Sequence, residues 1–417
     1  MIKPSHSLYS DIDRLCFLSK NLYNSGNYLV RQKFISTTKE KDAGIREHAD
    51  FLNYQAIRNL MKKDENYIAL PRKVSNHVLM QLDKNWKSFF KSIKGWKSQP
   101  GNYTGRPKLP KYKHKTNGRF GLEYELGAIS KRSLKKGEIS LSQTNVRLPY
   151  INQKNNKLIS VRIVALPTSF YKIEIIYEKK EKKLKTDNKC YMGIDLGVNN
   201  LAALTANNKK FKPIVINGRP VKSINQFYNK KKAELQSILP KGVHTSRRIR
   251  RLTQKRDEKI KQYFYKSANL VVNKAEQYKL NTIVIGHNPL WKQDCNMGSK
   301  NNQNFVQIPF NDLIQKIQYK AAFKGINVIV DDESFTSKAS FLDLDQIPAY
   351  DPDNKNEQEF GGYRESRGLY KLKGRNLRIN ADCNGSFNVI RKVAPNAFAD
   401  GVEGFAVIPT KVTINLR

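Results

Sequence analysis

The hydrophobic period changes twice along this chain, and those two changes set what it can fold into. From about residue 10 to 100, apolar residues recur at helical spacing, through Ile12, Leu15, Leu18, Leu22 and Leu29 and again through Val74, Val78, Leu82, Trp86, Phe89 and Ile93. Ser75 is the expected N-cap of the second run. The aromatic members of that run read either as helix core or as a base-stacking platform. From about 119 to 178 the period falls to two, in ISLSQTNVRLP, ISVRIVALP and FYKIEIIYE. Such alternation predicts an antiparallel sheet or small barrel. From about 189 onward, short apolar strands (CYMGID, LAALTA, FKPIVING, TIVIG, INVIV) are interleaved with helical stretches, the longest from about 246 to 279 and the last from about 384 to 392. The chain therefore reads as multidomain, α+β in its first half and α/β in its second, and 417 residues suffice for two or three separate cores.

Charge narrows the partner. Lys and Arg number 76 against 36 Asp and Glu, a formal net charge of +40. Neutralising phosphates releases condensed counterions, so nucleic acid is the natural polyanion for such a chain. The segment Gly101 to Lys115, GNYTGRPKLPKYKHK, carries Arg106, Lys108, Lys111 and Lys113 among Tyr103 and Tyr112, while Pro107 and Pro110 forbid a helix. It reads as an extended strand tracking a phosphate backbone or as a solvated linker. The run Lys179 to Lys185 reads as a charged linker. No apolar run reaches the length of a membrane span, and the first residues lack a signal-peptide core, so a cytosolic protein is the default expectation. Cys16, Cys190, Cys295 and Cys383 form no CxxC pair, which excludes a disulfide scaffold and a cysteine-based zinc site.

Three acids carry the chemical expectation. In GIDLGVNNLA, Asp195 ends a short apolar strand just before Gly197, and a charge there needs compensation. It is expected either in an Asx turn or, with a second acid, as a metal ligand. In INADCNGSFNVIRK, Asp382 stands at a helix start, with Asn384 and Asn388 on one face. It is read as an N-cap or as a carboxylate presented to the sheet. A hard divalent ion needs a third oxygen donor. The end of TIVIG offers only Gly286 and His287, so Glu333, heading ESFTSK, is the expected third ligand and Asp332 the reserve, the alternative being that the cluster Asp331, Asp332 and Glu333 is a solvated acidic turn.

At these residues the chain resembles the TnpB family of transposon-encoded nucleases, relatives of the type V CRISPR effectors. GIDLGVNNLA is similar to the first RuvC motif of that family and INADCNGSFNVIRK to the third. TSRRIRRLTQKRDEKIKQYFYKSA, from Thr245 to Ala268, resembles the basic helix between the first two motifs, and SGNYLVRQKF and GRPKLPKYK resemble its N-terminal half. WKQDCNMGSKNNQNFVQIPF followed by ESFTSKASFLD resembles a branch whose RuvC glutamate has moved to the position of Glu333.

The resemblance implies a helical recognition domain (11–100) inserted in a small β-barrel wedge domain (1–10 and 101–185). An RNase H-like RuvC nuclease domain (186–417) follows, with an insert at about 336–380. It implies catalysis by Asp195, Glu333 and Asp382 around two Mg²⁺ or Mn²⁺, with no zinc expected because the insert lacks cysteine. It also implies that guide RNA pairs with one strand of double-stranded target DNA and that the displaced single strand is cut next to a short adjacent motif. Tyr54, Asn76 and Gln81 are the expected readers of that motif. Arg247, Arg248, Arg250, Arg251, Lys255 and Arg256 are expected on nucleic acid. A nuclease-inactive RNA-guided repressor and an RNase H-like transposase are the alternatives.

Overall fold

Helix α1 (Tyr9–Asp42) forms because its apolar stripe recurs every three to four residues and buries Ile12, Leu15, Cys16, Leu22, Tyr23 and Val30. Asp11 in its first turn and Lys39 and Lys41 in its last complement the helix dipole. The computed structural model describes residues 1–150, 156–288, 305–348, 358–366 and 368–416. They divide into two compact units, Met1–Lys180 and Glu181–Arg417, within the expected charged linker.

In the first unit, α1 packs on α4 (Arg72–Ser98), with α2 (Tyr54–Met61) and the short α3 (Glu65–Ile68) beside them. Gly26 lets the two long helices approach closely, since a Cβ there would lie 2.9 Å from Leu82 Cδ2. Ser75 is not the cap of α4. The helix starts earlier, after Pro71, and Ser75 is buried within it, donating to the Tyr67 carbonyl at 2.7 Å. A proline before the first turn limits the chain at least as well as a serine side chain.

Trp86 is fully buried and donates to Asn27 Oδ1 at 3.0 Å, so this member of the aromatic stripe is core. The strands β1 (Leu122–Glu125), β4 (Asn156–Ala165) and β5 (Tyr171–Lys179) make an antiparallel sheet in the order β1-β4-β5. The strands β2 (Glu138–Ser140) and β3 (Arg147–Pro149) pair separately, and α5 (Lys131–Lys135) precedes them. Among the described residues these strands form open sheets rather than one closed barrel. Ile2 bridges Tyr171 and brings the N-terminal residues to this sheet, which shares one hydrophobic cluster with the helices.

The second unit is built on a six-stranded sheet. Its members are β6 (Tyr191–Leu196), β7 (Asn200–Ala206), β8 (Ile214–Asn217), β9 (Thr282–Gly286), β10 (Asn327–Asp331) and β14 (Thr410–Val412), in the order β10-β9-β6-β7-β8-β14. β6, β7 and β8 are antiparallel neighbours, whereas β9 runs parallel to β6 and β10 parallel to β9. The parallel joins require crossovers. Helix α6 (Arg219–Ser237) packs on α7 (Arg247–Gln277), which packs on α8 (Phe310–Ala322). α9 (Ala381–Val393) lies across β6, β7 and β9. That approach is close, because a Cβ on Gly193 would fall 2.1 Å from the Ser386 carbonyl oxygen. The insert contributes a meander, β11 (Gly362–Ser366), β12 (Leu369–Leu372) and β13 (Arg378–Asn380), over a cluster of Phe341, Tyr370, Phe387 and Phe398.

Candidate active site

The three parallel strands end together, and the acids gather at their carboxyl ends. Ile194 pairs with Ile285 and Gly286 with Asp331, so Asp195 emerges beside the end of β9, and the chain after β10 turns back over both. Gly197 N–H donates to the Leu201 carbonyl at 3.3 Å and closes the hairpin to β7. Asp195, Glu333 and Asp382 line one cleft of about 680 Å³, together with Asn200, Arg219, Arg364 and Lys411.

Each acid is placed by a different device. Gly385 on α9 leaves room for Asp195, whose Oδ2 lies 3.2 Å from where a Cβ at 385 would be. Asp382 is not the cap of α9. Asn380 takes that role, its side chain accepting from the N–H groups of Asp382 and Cys383, which frees the Asp382 carboxylate for the cleft. Asn200 Nδ2 then donates to Asp382 Oδ2 at 2.6 Å, and Arg364 reaches Oδ1 at 3.4 Å.

Glu333 fills the space that a side chain at Gly286 would need, because a Cβ on Gly286 would meet Glu333 Cβ at 3.1 Å and Oε2 at 3.5 Å. Its loop is clamped by α9. Thr336 donates to the Glu333 carbonyl, Asn384 binds Phe341 N–H and the Ala339 carbonyl, and Asn388 donates to the carbonyls of Thr336 and Ala339. Phe335 adopts a left-handed φ of 65°, a backbone conformation unfavourable for an aromatic residue that this clamp holds in place.

Asp332 is engaged elsewhere. Burial raises its carboxyl pKa, but hydrogen bonds from Lys392, at 2.7 Å, and from Ser334 outweigh it and hold the group below its ordinary value. Asp195 is pushed the other way. Burial holds its carboxyl well above the usual range, the charges of Glu333 and Asp382 push it further, and Arg364 opposes them. Among the described residues, no group of three or more His, Cys, Asp or Glu side chains is gathered closely enough to hold one metal ion. Mg²⁺ commonly takes only one or two carboxylates and keeps waters, and hard oxygen donors that repel one another suit it. The cleft acids offer hard oxygen donors of the type Mg²⁺ takes, without three of them closing on one ion.

A raised folded pKa means that the protonated form is favoured by folding. Its contribution is full at low pH and is lost as pH rises above the ordinary carboxylate range. With EDTA present, Asp195→Asn is expected to raise the melting temperature by a few degrees near pH 8 and by nothing near pH 4. Thermal melts at the two pH values check this. A variant that melts below wild type at pH 8 contradicts it.

The expected nucleic-acid residues divide. Arg247, Arg248, Arg250, Arg251 and Lys255 are exposed on α7. Arg256 is not presented to solvent in the same way. It donates to Asn225 Oδ1, the Gln307 carbonyl and Asp257, which fixes α6 to α7 and the segment before α8. Residues 110–115 are an ordered extended segment laid along α1. Asn27 and Arg31 donate to the Pro110 carbonyl, Asn24 pairs with the backbone of Lys113, and Lys20 donates to the Lys115 carbonyl. Arg106, Lys108 and Lys111 are exposed there, while Lys113 lies half-buried 5.2 Å from the Tyr23 ring.

Of the expected motif readers, Gln81 lines a cavity of about 480 Å³ with His77, Asn85, Lys113, Arg119 and Arg162, a lining that includes neither Tyr54 nor Asn76. Asn76 accepts from the Tyr67 hydroxyl, and Tyr54 is half-buried against the core. Most of WKQDCNMGSKNNQNFVQIPF lies outside the described residues. Sequence reasoning missed Arg219, Arg364 and Lys411, which lie apart from the acids along the chain, and Asn200, which stands in the same motif as Asp195 but serves Asp382. The i, i+4 spacing put Asn384 and Asn388 on one helix face but did not show which loop they clamp.

Residues 174–291 match the OrfB_IS605 family, described as a probable transposase. Over that segment the chain resembles this transposon-encoded family. It is 25% identical over 276 residues to the CRISPR-associated endodeoxyribonuclease Cas12f2 of Micrarchaeota archaeon (strain CG1_02_47_40). That alignment covers 63% of this chain and 47% of the relative, so the chain spans about half the length of the protein it matches. Two solved structures are similar. One is a Cas12f1-sgRNA-target DNA complex, with a TM-score of 0.49, 15% identity and coverage of 90% of this chain and 82% of that one. The other is an AacC2c1-sgRNA binary complex, with a TM-score of 0.38, 8% identity and coverage of 92% and 70%. Among the described residues, no helix is long and apolar enough to cross a membrane.

Proposed function

We propose that this chain is an RNA-guided, Mg²⁺- or Mn²⁺-dependent DNA endonuclease, encoded by an insertion sequence, that hydrolyses double-stranded target DNA next to a short adjacent motif. The observation that carries the reading is the meeting of Asp195, Glu333 and Asp382 in one cleft, with Glu333 occupying the space beside Gly286. Support comes from the strand order β10-β9-β6-β7-β8, with three antiparallel members followed by two parallel ones, which is the layout expected of an RNase H-like domain. The net charge of +40 and the similarity to an endodeoxyribonuclease support a nucleic-acid substrate.

In this reading Asp195, Glu333 and Asp382 hold the divalent ions. Such ions activate water and offset charge on the leaving oxygen of a phosphodiester. Asn200 orients the Asp382 carboxylate, and Arg219, Arg364 and Lys411 draw the scissile phosphate into the cleft. Guide RNA supplies sequence specificity by base pairing, the exposed face of α7 and residues 106–111 hold phosphate backbones, and Gln81 faces the adjacent motif. The first unit combines the recognition and wedge roles, and the described part of the insert is held together by its aromatic cluster.

The test uses protein purified with its own RNA, that RNA sequenced, and a plasmid carrying the matching target. Mg²⁺-dependent linearisation is expected, with none in EDTA. Binding without cutting in Mg²⁺ and Mn²⁺ overturns the nuclease reading in favour of a repressor. The family match described as a probable transposase favours a second reading, strand transfer. Guide-independent joining of transposon ends in the same assay is its signature.

A further inference from the structure

A second cavity, of about 980 Å³, lies in the first unit between the C-terminal halves of α1 and α4 and the extended segment 106–111. Its apolar side is aromatic. Phe34, Phe89 and Phe90 line it, with ring centroids 5.2 Å apart for Phe89 and Phe90 and 5.4 Å apart for Phe34 and Phe90. These three rings are half-buried, in contrast to Trp86 behind them. Its charged lining is basic, from Arg31, Lys41, Lys97, Arg106, Lys108 and Lys111, against a single acid, Asp42, with small and aliphatic residues such as Ile93 and Leu109 filling the remainder.

Arg31 is held in place at one end. Its Nη2 donates to the Pro110 carbonyl at 2.6 Å and its guanidinium lies 4.7 Å from the Tyr112 ring centroid, while its buried Nε finds no acceptor among the described residues. A buried donor without an acceptor favours a ligand that brings one.

We propose that this cavity takes an unpaired nucleotide of the bound RNA, its base on the Phe34, Phe89 and Phe90 rings and its phosphates on the basic rim. Chemistry selects the occupant. A nucleotide joins a π-face to an adjacent anion, which is the pairing this lining offers, and RNA recognition favours unstacked bases placed on aromatic rings. An acidic peptide would meet the cations but would leave the rings without a planar partner. The volume is at the upper end for one small ligand, so a nucleotide with its flanking phosphates fits. The site rests on the reading that the chain carries RNA, but it is separate from the acid cleft and does not depend on cleavage.

The test uses the full chain stripped of RNA and a short single-stranded RNA containing 2-aminopurine, whose fluorescence is quenched by stacking. Binding to wild type is expected to quench it. In Phe89→Leu/Phe90→Leu, which keeps apolar volume, quenching is expected to disappear and affinity to fall roughly tenfold, with affinity for duplex RNA unchanged. Equal quenching and affinity in wild type and variant overturn the site, as does an equal loss for duplex RNA. Circular dichroism and melting check that the variant folds. If it does not, the exposed pair Arg106→Glu/Lys108→Glu replaces it, and unchanged quenching there also overturns the site. Wild type that quenches the probe yet never cuts DNA sinks the nuclease reading alone. Wild type that cuts DNA while the variants bind RNA normally sinks the cavity alone.

Discussion

Asp195→Ala is expected to lower target cleavage by about 10³-fold or more while the purified protein still carries its RNA. The magnitude reflects several kcal/mol of charge stabilisation supplied by divalent ions, at 1.36 kcal/mol per tenfold in rate. Burial, then the charges of Glu333 and Asp382, hold the Asp195 carboxyl above its ordinary range. Alanine leaves the backbone pairing of β6 with β7 intact and relieves that repulsion, so folding is not the cause of the loss. Kinetics of plasmid cleavage, alongside the yield of copurified RNA, check the prediction. Cutting at the wild-type rate removes Asp195 from the site. Loss of the RNA together with cutting points instead to a folding defect.

The second large effect concerns where the third acid stands. Glu333→Gln keeps the side-chain shape and is expected to match Asp195→Ala, whereas Asp332→Asn is expected to be mild in rate. Asp332 is paired with Lys392, whose side chain is 14% exposed, so its loss acts on stability by about 1–3 kcal/mol and leaves the cleft intact. Gly286→Glu alone is expected to inactivate. A Cβ there meets Val389 Cγ2 at 2.8 Å as well as Glu333, and overpacking at such a site costs about 1–3 kcal/mol. Combining Gly286→Glu with Glu333→Gly vacates the contested space, and that double variant is expected to cut better than either single one. Single and double variants compared in one cleavage assay decide the matter. A double variant no better than Gly286→Glu shows that the two positions do not share one role.

Much of this arrangement was legible in the sequence, because periodicity reports faces directly. The stripe through Ile12, Leu15 and Leu22 and the alternation in ISVRIVALP both emerge as read. The strand apolar runs of the second unit likewise appear as β6 to β10. What stayed hidden was whatever depends on approach between segments distant in sequence. Nothing near Asp195 signals that Arg364, on the insert meander, reaches Asp382. Nothing in ADCNGSFN says that Asn384 and Asn388 serve the loop carrying Glu333 and do not enter the cleft themselves. Ser75 and Asp382 were plausible caps by residue type, but Pro71 and Asn380 hold the cap positions. Arg256 has the composition of a phosphate ligand, and only the packing of α6 on α7 turns it inward. Alternation is the same in a sheet and a small barrel, so it left both open for the first unit, whose described strands form open sheets.

The account depends on Asp195, Glu333 and Asp382 sharing divalent ions, and Mn²⁺ titration of RNA-free protein, followed by electron paramagnetic resonance, tests that sharing most directly. Wild type is expected to take up Mn²⁺, and Asp195→Asn, Glu333→Gln and Asp382→Asn each to weaken the uptake by at least about tenfold, with Asp332→Asn close to wild type. Mn²⁺ uptake by Glu333→Gln indistinguishable from wild type contradicts the shared site.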